Sequence, residues 1–412
     1  MQSDVAIHDL PPDAGGAVEI IDKLRAAGHI ALLAGGCVRD LLRGDSPKDY
    51  DVATSARPEE VCAMFRATRL VGAQFGVVLT RRRRRWVEVA TFRSDGAYSD
   101  GRHPDSVRFS TPPEDAARRD FTINGMFLDP PTGAVIDYVG GLADLRAGVV
   151  RAIGDAATRF AEDHLRLLRA IRFAARLDYA IESGTFAALC AAAPRVADVA
   201  GERVLDELQR MLSASSRVRA VELMRDAGLL GPAIAGVIWT DSGVEAAQAI
   251  LRRLPQASFE VASAVLLEHN AAPTDTPRQM KCSNAQIESI NWLRAHHADL
   301  DDPDAPDLAA LRRLLAHSRF HELRDWAHAR FADTPNHQDR QSRLAERIAA
   351  VPADDILPAP FVTGDDLTAR GVTPGPIFKT VLDKLYEAQL NLELRTRDAA
   401  LARLAEELKS RR

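Results

Sequence analysis

The stretch Ile30-Ala31-Leu32-Leu33-Ala34-Gly35-Gly36-Cys37-Val38-Arg39-Asp40-Leu41-Leu42, followed by Pro47-Lys48-Asp49-Tyr50-Asp51-Val52-Ala53-Thr54, decides the fold. An apolar run enters two glycines, and apolar residues at helical spacing follow. That pattern reads as a strand, a tight turn and a helix. Asp49 to Ala53 reads as a second strand, on which Asp49 and Asp51 share one face. Two adjacent carboxylates repel unless a cation lies between them. Magnesium suits the gap, because it takes hard oxygen ligands and bridges one or two carboxylates to substrate phosphates. Two such ions can activate an attacking oxygen and stabilise a leaving one. Alone, an Asp-x-Asp pair reads as a solvated strand edge. Gly35 and Gly36 change the odds, since they let the backbone approach a phosphate at the start of a helix. Arg39 lies in the first turn and reaches the same phosphates. Asp40 reads as a stabiliser of the helix start.

Downstream, Gly76 to Thr80 and Trp86 to Phe92 read as two strands of a hairpin. Arg81 to Arg85 join them. This run reads as a solvated tip, with RNA phosphates as the alternative partner. Glu88 is a charged residue in an otherwise apolar strand. It is either a third metal-site carboxylate or an outward-facing edge residue. Thr54 to Val61 reads as a capped helix start. From about residue 155 the apolar spacing is helical to the C-terminus. Three polar, Pro-containing stretches interrupt it: 270–277, 299–307 and 351–360.

The 412 residues suffice for two to four packed units. With 46% hydrophobic and 27% charged residues, the composition is that of a globular protein. No apolar run is long enough for a membrane span, and the first 30 residues show no secretory pattern. Cys37, Cys62, Cys190 and Cys282 are too scattered for a metal site and suggest free thiols in a reducing cytoplasm. The net charge of -5 argues against coating of nucleic acid by bulk charge. It leaves room for a local basic surface.

The opening stretch resembles the signature of the class II CCA-adding enzyme and poly(A) polymerase family. Further motifs follow in the family's order. Arg118-Arg119-Asp120-Phe121-Thr122-Ile123-Asn124 is similar to the second, and Asp137-Tyr138-Val139-Gly140-Gly141 with Asp144-Leu145 to the third. Glu162-Asp163-His164-Leu165-Arg166, continuing to Arg169-Ala170-Ile171-Arg172-Phe173, is similar to the nucleotide-selecting motif. Glu202-Arg203-Val204 with Glu207 is similar to the last. A weaker match covers Val362 to Leu367 and Pro374-Gly375-Pro376. The resemblance implies an α+β fold of seahorse shape: a polymerase-β-like head (1–145), then a helical neck (146–215), body (216–350) and tail (351–412). It implies that Asp49 and Asp51 hold magnesium, that Gly35, Gly36 and Arg39 contact the triphosphate, and that Arg119, Asp120 and Asn124 contact the nucleotide. Position 125 is Gly where the family usually has Ala.

Arg159 to Leu177 reads as one helix. On it Asp163, Arg166, Arg169 and Arg172 recur every three residues and fan over one side. Unaided, this pattern reads as a solvated face with ion pairs. The resemblance turns it, with Glu162, into a nucleotide-binding surface. An ionised Asp only accepts hydrogen bonds and an Arg only donates them. Asp163 would accept from the amino group of cytosine or adenine while Arg166 donates to the ring acceptors. Uracil and guanine would set a carbonyl against the carboxylate, leaving buried polar groups unpaired. Arg169 and Arg172 would hold base or phosphates. The implied reaction is attack of an RNA 3′-hydroxyl on the α-phosphate of CTP or ATP, with pyrophosphate leaving. Positioning and charge neutralisation would carry it. No dedicated general base is evident.

Within the family, Arg93 to Pro104 is similar to the flexible loop of CCA- and A-adding members, which CC-adding members lack. Val71 to Val78 is similar to CCA-adding members, where poly(A) polymerases carry a basic, Phe-containing stretch. CCA addition to tRNA leads, with A addition or poly(A) addition as alternatives. His8-Asp9 is misplaced for a His-Asp phosphohydrolase, and His296-His297 with Asp299 reads as a solvated helix end. A decayed RNA-binding head would have lost a metal carboxylate. A small-molecule nucleotidyltransferase would not need the Glu-Asp-x-x-Arg segment or the long helical tail.

Overall fold

The computed structural model describes residues 2–71, 76–96, 98, 101, 104–254, 256–353, 355–373 and 375–409. Part of the Val71 to Val78 stretch, part of the Arg93 to Pro104 loop and Pro374 lie outside the described residues. The chain forms two compact units: Met1–Trp239 with Arg278–Lys281, and Thr240–Pro277 with Cys282–Arg412.

The first unit is built on one sheet. Its strands are β1 (Gln2–Ala6), β2 (Ala31–Ala34), β3 (Asp51–Thr54), β4 (Thr68–Leu70), β5 (Val77–Arg82) and β6 (Arg85–Thr91), with a later pair. A separate hairpin pairs β7 (Arg93–Asp95) with β8 (Val107–Phe109), and β9 (Phe127–Leu128) and β10 (Ala134–Ile136) complete the main sheet. The main order is β1-β10-β9-β2-β3-β6-β5-β4. The all-apolar β2 lies between β9 and β3, antiparallel to both, and every residue in it is buried. Helix α1 (Gly15–Ala26) buries Ile20, Ile21 and Leu24. Phe92 and Phe127 meet edge-to-face at 5.9 Å within the core.

Gly35 ends β2 with φ +73°, and α2 (Gly36–Leu42) follows, as the residue pattern predicts. The second strand is shorter than predicted. It starts at Asp51, opposite Ala34, the last residue of β2. Past that pair β2 has already turned away, so Asp49 has no partner there and lies just ahead of the strand. The side-chain alternation still holds: Asp49 is exposed, Tyr50 buried and Asp51 half-buried. Helix α3 (Pro58–Met64) is capped at Arg57, inside the predicted Thr54 to Val61 stretch, with Glu60 accepting from the Arg57 N–H at 2.7 Å.

Arg81, Arg83, Arg84 and Arg85 are exposed, as expected of a solvated tip, and Arg82 is half-buried. Arg82 pairs with Arg85 across a two-residue turn in which Arg83 and Arg84 have φ +44° and +64°. Glycine or asparagine usually fills such positions, and a residue with a Cβ is strained there. Ion pairs hold the turn down: Arg83 donates to Glu19 at 2.7 Å, and Arg85 lies 3.1 Å from Asp13. The tip is therefore tied to the α1 segment.

After α4 (Pro112–Ala117) and α5 (Gly141–Ala147) the unit becomes helical: α6 (Ala156–Glu162), α7 (Leu165–Leu177), α8 (Ser183–Ala192) and α9 (Gly201–Leu212). Arg159 to Leu177 is thus two helices. Asp163 sits between them in extended conformation, φ −147° and ψ 105°, and accepts from the Leu165 N–H at 3.1 Å. Asp competes in this way with helical hydrogen bonding and favours helix ends. The predicted fan therefore loses its first member as a helical residue.

Among the described residues, the second unit contains helices from Asp241–Arg253 to Arg397–Lys409 and no strand. The interruption 299–307 and the described part of 351–360 fall between helices, whereas 270–277 runs into the short helix Thr276–Gln279. In its C-terminal part Leu367, Val381, Leu385 and Leu404 form a buried cluster. His297 is half-buried, its ring stacked on the buried Trp326 at 5.5 Å, while His296 pairs with Asp299 at 2.6 Å. No helix is long and apolar enough to cross a membrane.

Candidate active site

The carboxylate end of β3 opens into a cavity of about 510 Å³ within the first unit. Asp51 and Glu88 form one wall, and Asp163, Arg166, Arg169 and Arg172 line it as well. Parallel pairing of β3 with β6 puts Val52 beside Val89. The preceding residues, Asp51 and Glu88, are therefore neighbours on one face. Glu88 belongs to the cavity, not to an outward edge. Asp49 does not line this cavity. It lines an adjacent one with Lys48 and Tyr50, yet its charge still acts on Asp51.

Burial pushes the Asp51 carboxyl up, Glu88 and then Asp49 add to the push, and Arg119 opposes it; the result is about 6. Burial likewise raises Glu88, against Arg119 and Arg93. These carboxylates share one wall of the cavity, Asp51 half-buried and Glu88 open to it, and among the described residues neither has an ion pair, which suits a cation binding between them. Among the described residues no three His, Cys, Asp or Glu side chains could enclose a metal by themselves. The donor set instead fits magnesium that completes its shell with water and substrate phosphates.

The opposite wall is basic. Eight arginines and four carboxylates, Asp51 and Glu88 included, are among the described residues that line the cavity as a whole. The excess suits a triphosphate, but most of these cations are already oriented. Arg39 is 2% exposed, donates twice to Asp40 at 2.9 and 2.7 Å, and donates to Asn124 Oδ1. Asp40 therefore holds Arg39, with a second contact from Arg176 at 3.3 Å, and is not a cap of the helix start. Asn124 in turn donates to Asp120 at 3.1 Å. Arg169 donates twice to Asp120 Oδ2, and the Phe121 N–H donates to Oδ1 at 2.8 Å. Four donors saturate a carboxylate. Asp120 thus organises Arg169 and Asn124. Glu207 of α9 accepts from Arg172 and lies 4.0 Å from Arg169. Phe173 lies beneath Arg39, Arg169 and Arg172, at 5.2, 5.4 and 4.3 Å.

Arg119 donates to Asp115 through Nε and Nη2 at 3.2 and 3.0 Å, and to the Asn124 carbonyl at 3.3 Å. Its Nη1 lies 2.8 Å from where a Cβ on Gly35 would stand, so Gly35 is needed for space as well as for its positive φ. Gly36 lines the cavity beside it. Gly125 has a local reason too: a Cβ there would meet Val139 Cγ2 at 2.6 Å.

Asp163 is gripped by Arg203 of α9, which donates to Oδ1 at 3.2 Å and to Oδ2 at 2.9 Å. Arg166 donates to Glu162 and to the Arg159 carbonyl at 2.9 Å. Glu162 therefore acts on Arg166 from behind and does not line the cavity. Asp115 went unnoticed in the sequence, although Arg118 and Arg119 three and four residues on carry a helical ion-pair signal. Arg203 and Glu207 had motif membership but no assigned role. Their partners lie about 40 residues away in the chain, beyond any local pattern.

Burial would raise Asp120, but Arg169 outweighs it and holds the carboxyl at about 2. A depressed carboxyl stabilises the fold above its unfolded value of about 4 and loses that contribution as pH falls towards 2. Asp120→Asn is expected to flatten the dependence of urea-unfolding stability on pH between about 4 and 2. An unchanged slope would remove Asp120 from the ionic framework.

Residues 31–151 match the model of the poly A polymerase head domain. Residues 178–234 match that of the probable RNA and SrmB-binding site of polymerase A. A CCA-adding enzyme of Leuconostoc mesenteroides is 33% identical over 411 residues, spanning 97% of this chain and 98% of that one. Poly(A) polymerase I of Haemophilus influenzae is 38% identical over 241 residues, but these span only 55% of this chain and 52% of that one. Among solved structures, the Bacillus stearothermophilus CCA-adding enzyme in complex with CTP superposes with a TM-score of 0.81 at 29% identity, over 98% of this chain and 99% of that one.

Proposed function

Because the chain belongs to the family of CCA-adding enzymes and bacterial poly(A) polymerases, we propose that it adds CCA to the 3′ end of tRNA from CTP and ATP and releases pyrophosphate. One observation carries the reading: the Asp51–Glu88 wall and the Asp163–Arg166 segment line the same cavity. Phosphoryl transfer and base selection can then act on one bound nucleotide. CCA addition leads over poly(A) addition because similarity to CCA-adding enzymes runs the length of the chain, whereas similarity to poly(A) polymerase I covers about half.

In this reading Asp49 and Asp51 would hold magnesium, Asp51 from the cavity wall that it shares with Glu88 and Asp49 from just ahead of β3. The metal supplies charge neutralisation at the phosphates and lowers the barrier to attack by the RNA hydroxyl. The chain's own residues do the rest. Arg39 and Arg119, fixed by Asp40, Asn124 and Asp115, meet the triphosphate with little reorganisation. Arg169 and Arg172 are steadied by Asp120 and Glu207 beside the nucleotide. The head (1–145) and neck (146–215) carry catalysis and selection, and the body (216–350) and tail (351–412) take the RNA. The four free cysteines fit a cytoplasmic enzyme.

The test uses tRNAs ending before the first C, before the second C and before the terminal A. CTP and ATP are supplied separately and the products sequenced. CTP should extend the first two substrates and ATP only the third. Addition of A alone, onto a tRNA ending in CC, would make the enzyme A-adding. Repeated A addition to unrelated RNA would make it a poly(A) polymerase.

A further inference from the structure

Two helices carry the two ends of the nucleotide site. Helix α2 brings Gly36 and Arg39 to the cavity, and α7 brings Arg166, Arg169 and Arg172, with Asp163 just ahead of it. Phe173 and Arg176 lie three residues apart on α7 and share a face, as do Arg39 and Arg43 four residues apart on and just past α2. These faces meet at three points. The Arg39 guanidinium lies 5.2 Å from the Phe173 ring. Asp40, which holds Arg39, accepts from Arg176 at 3.3 Å. Arg43 donates to the Tyr179 hydroxyl at 2.7 Å, and that hydroxyl donates onward to the Leu145 carbonyl at 3.2 Å. Asp178 ends α7 in the left-handed conformation, φ +56°, and Tyr179 follows it.

Arg176, Arg43 and Tyr179 do not line the cavity, so they do not touch the nucleotide themselves. Exposed ion pairs contribute little to stability on average. The Arg176 side chain is 52% exposed, yet its partner Asp40 is 8% exposed and already gives Oδ1 to Arg39. We propose that Arg176 and Tyr179 are positioning residues: they pin the C-terminal end of α7 to α2 and so fix the spacing between the triphosphate contacts and the base-reading edge. The inference rests on the function proposed above. A ligand that spans two sites gains affinity only where geometry lets it fill both at once. From Arg166 to Arg176 the helix rises about 15 Å, so a tilt of about 4° at the pinned end moves the other end by about 1 Å. Misplacement on that scale can cost about a hundredfold in rate.

The full-length protein is tested as the double variant Arg176→Gln, Tyr179→Phe. Arg176 is exposed and Phe keeps the ring, so the variant should fold and melt within about 2 °C of wild type. Binding of CTP, tripolyphosphate and cytidine is titrated separately with magnesium present. The Kd for CTP is expected to rise about tenfold, while the Kd values for tripolyphosphate and for cytidine, which each need one end of the site, stay within about twofold. Arg176→Lys keeps a cation within reach of Asp40 and should retain most of the CTP affinity that Arg176→Gln loses. A CTP affinity within twofold of wild type in the double variant would overturn the proposal. So would a parallel loss for all three ligands, since that is the mark of a damaged fold and not of an altered spacing. A wild-type protein that binds CTP but extends no tRNA would sink the proposed function and leave the spacing result standing, so the two failures are distinct.

Discussion

Exchanging Asp51 for Asn is expected to cut nucleotide addition by about a thousandfold or more, while the chain becomes no less stable. The two halves of this expectation have one cause. Asp51 is half-buried beside Glu88, and burial together with that neighbouring charge pushes its carboxyl up to about 6. A carboxyl raised above its unfolded value is a liability to the fold at neutral pH: stability contributed by it falls as pH rises from about 4 through 6. Asn keeps the shape and removes the charge, so in the presence of a chelator the variant should melt at or above the wild-type temperature. It should also lose part of the wild-type slope of stability with pH in that window. The same exchange removes a ligand for the cation and disables phosphoryl transfer. A residue kept at a cost to the fold and needed for turnover is the pattern of a functional site. Single-turnover rates with CTP and thermal melts of the same preparation decide the matter. Activity within tenfold of wild type would move catalysis away from this wall, and a sharp loss of stability would make Asp51 a structural residue.

The legible parts of the molecule are those written in short stretches. Ile30 to Leu42 spells strand, turn and helix because five apolar residues meet two glycines, and all three elements are present where that pattern puts them. The helical breaks are legible for the same reason, since proline and polar runs interrupt local hydrogen bonding. What stays hidden depends on partners far along the chain. Asp49 falls outside β3 because the partner strand ends at Ala34. The turn at Arg83–Arg84 lacks the usual glycine signal and is retained by Glu19 and Asp13, about 65 to 70 positions earlier. The break at Asp163 contradicts the apolar periodicity around it, and Arg203, 40 residues on, grips the carboxylate that leaves the helix. Family resemblance brings these residues to notice, and only the fold says what each of them holds.

The grip on Asp163 leads to the second large effect. Its carboxylate offers about four acceptor positions. Arg203 and the Leu165 N–H occupy two on Oδ1, and Arg203 occupies one on Oδ2. One position remains, which is the number needed for one exocyclic amino group. Arg166 has spent both Nη1 protons on Glu162 and the Arg159 carbonyl. Its Nη2 has one contact at the 3.5 Å limit, to the Arg118 carbonyl. Nε and the rest of Nη2 remain as donors. One acceptor beside two donors matches the pairing edge of cytosine, and adenine uses the acceptor and one donor. Uracil and guanine would set an oxygen against the last acceptor position. Asp163→Asn changes this edge from acceptor-only to one that can also donate. It is expected to raise the use of UTP and GTP relative to CTP and ATP by about a hundredfold, towards the upper end of the cost of leaving one polar group unpaired. Single-turnover incorporation of each of the four nucleotides onto tRNA lacking its CCA end measures the ratio. Arg203→Met should blur selection as well, because an untethered Asp163 no longer presents a single free acceptor. If Asp163→Asn still rejects UTP as strictly as the wild type, base choice lies with another residue, and the acceptor count at Asp163 is coincidental.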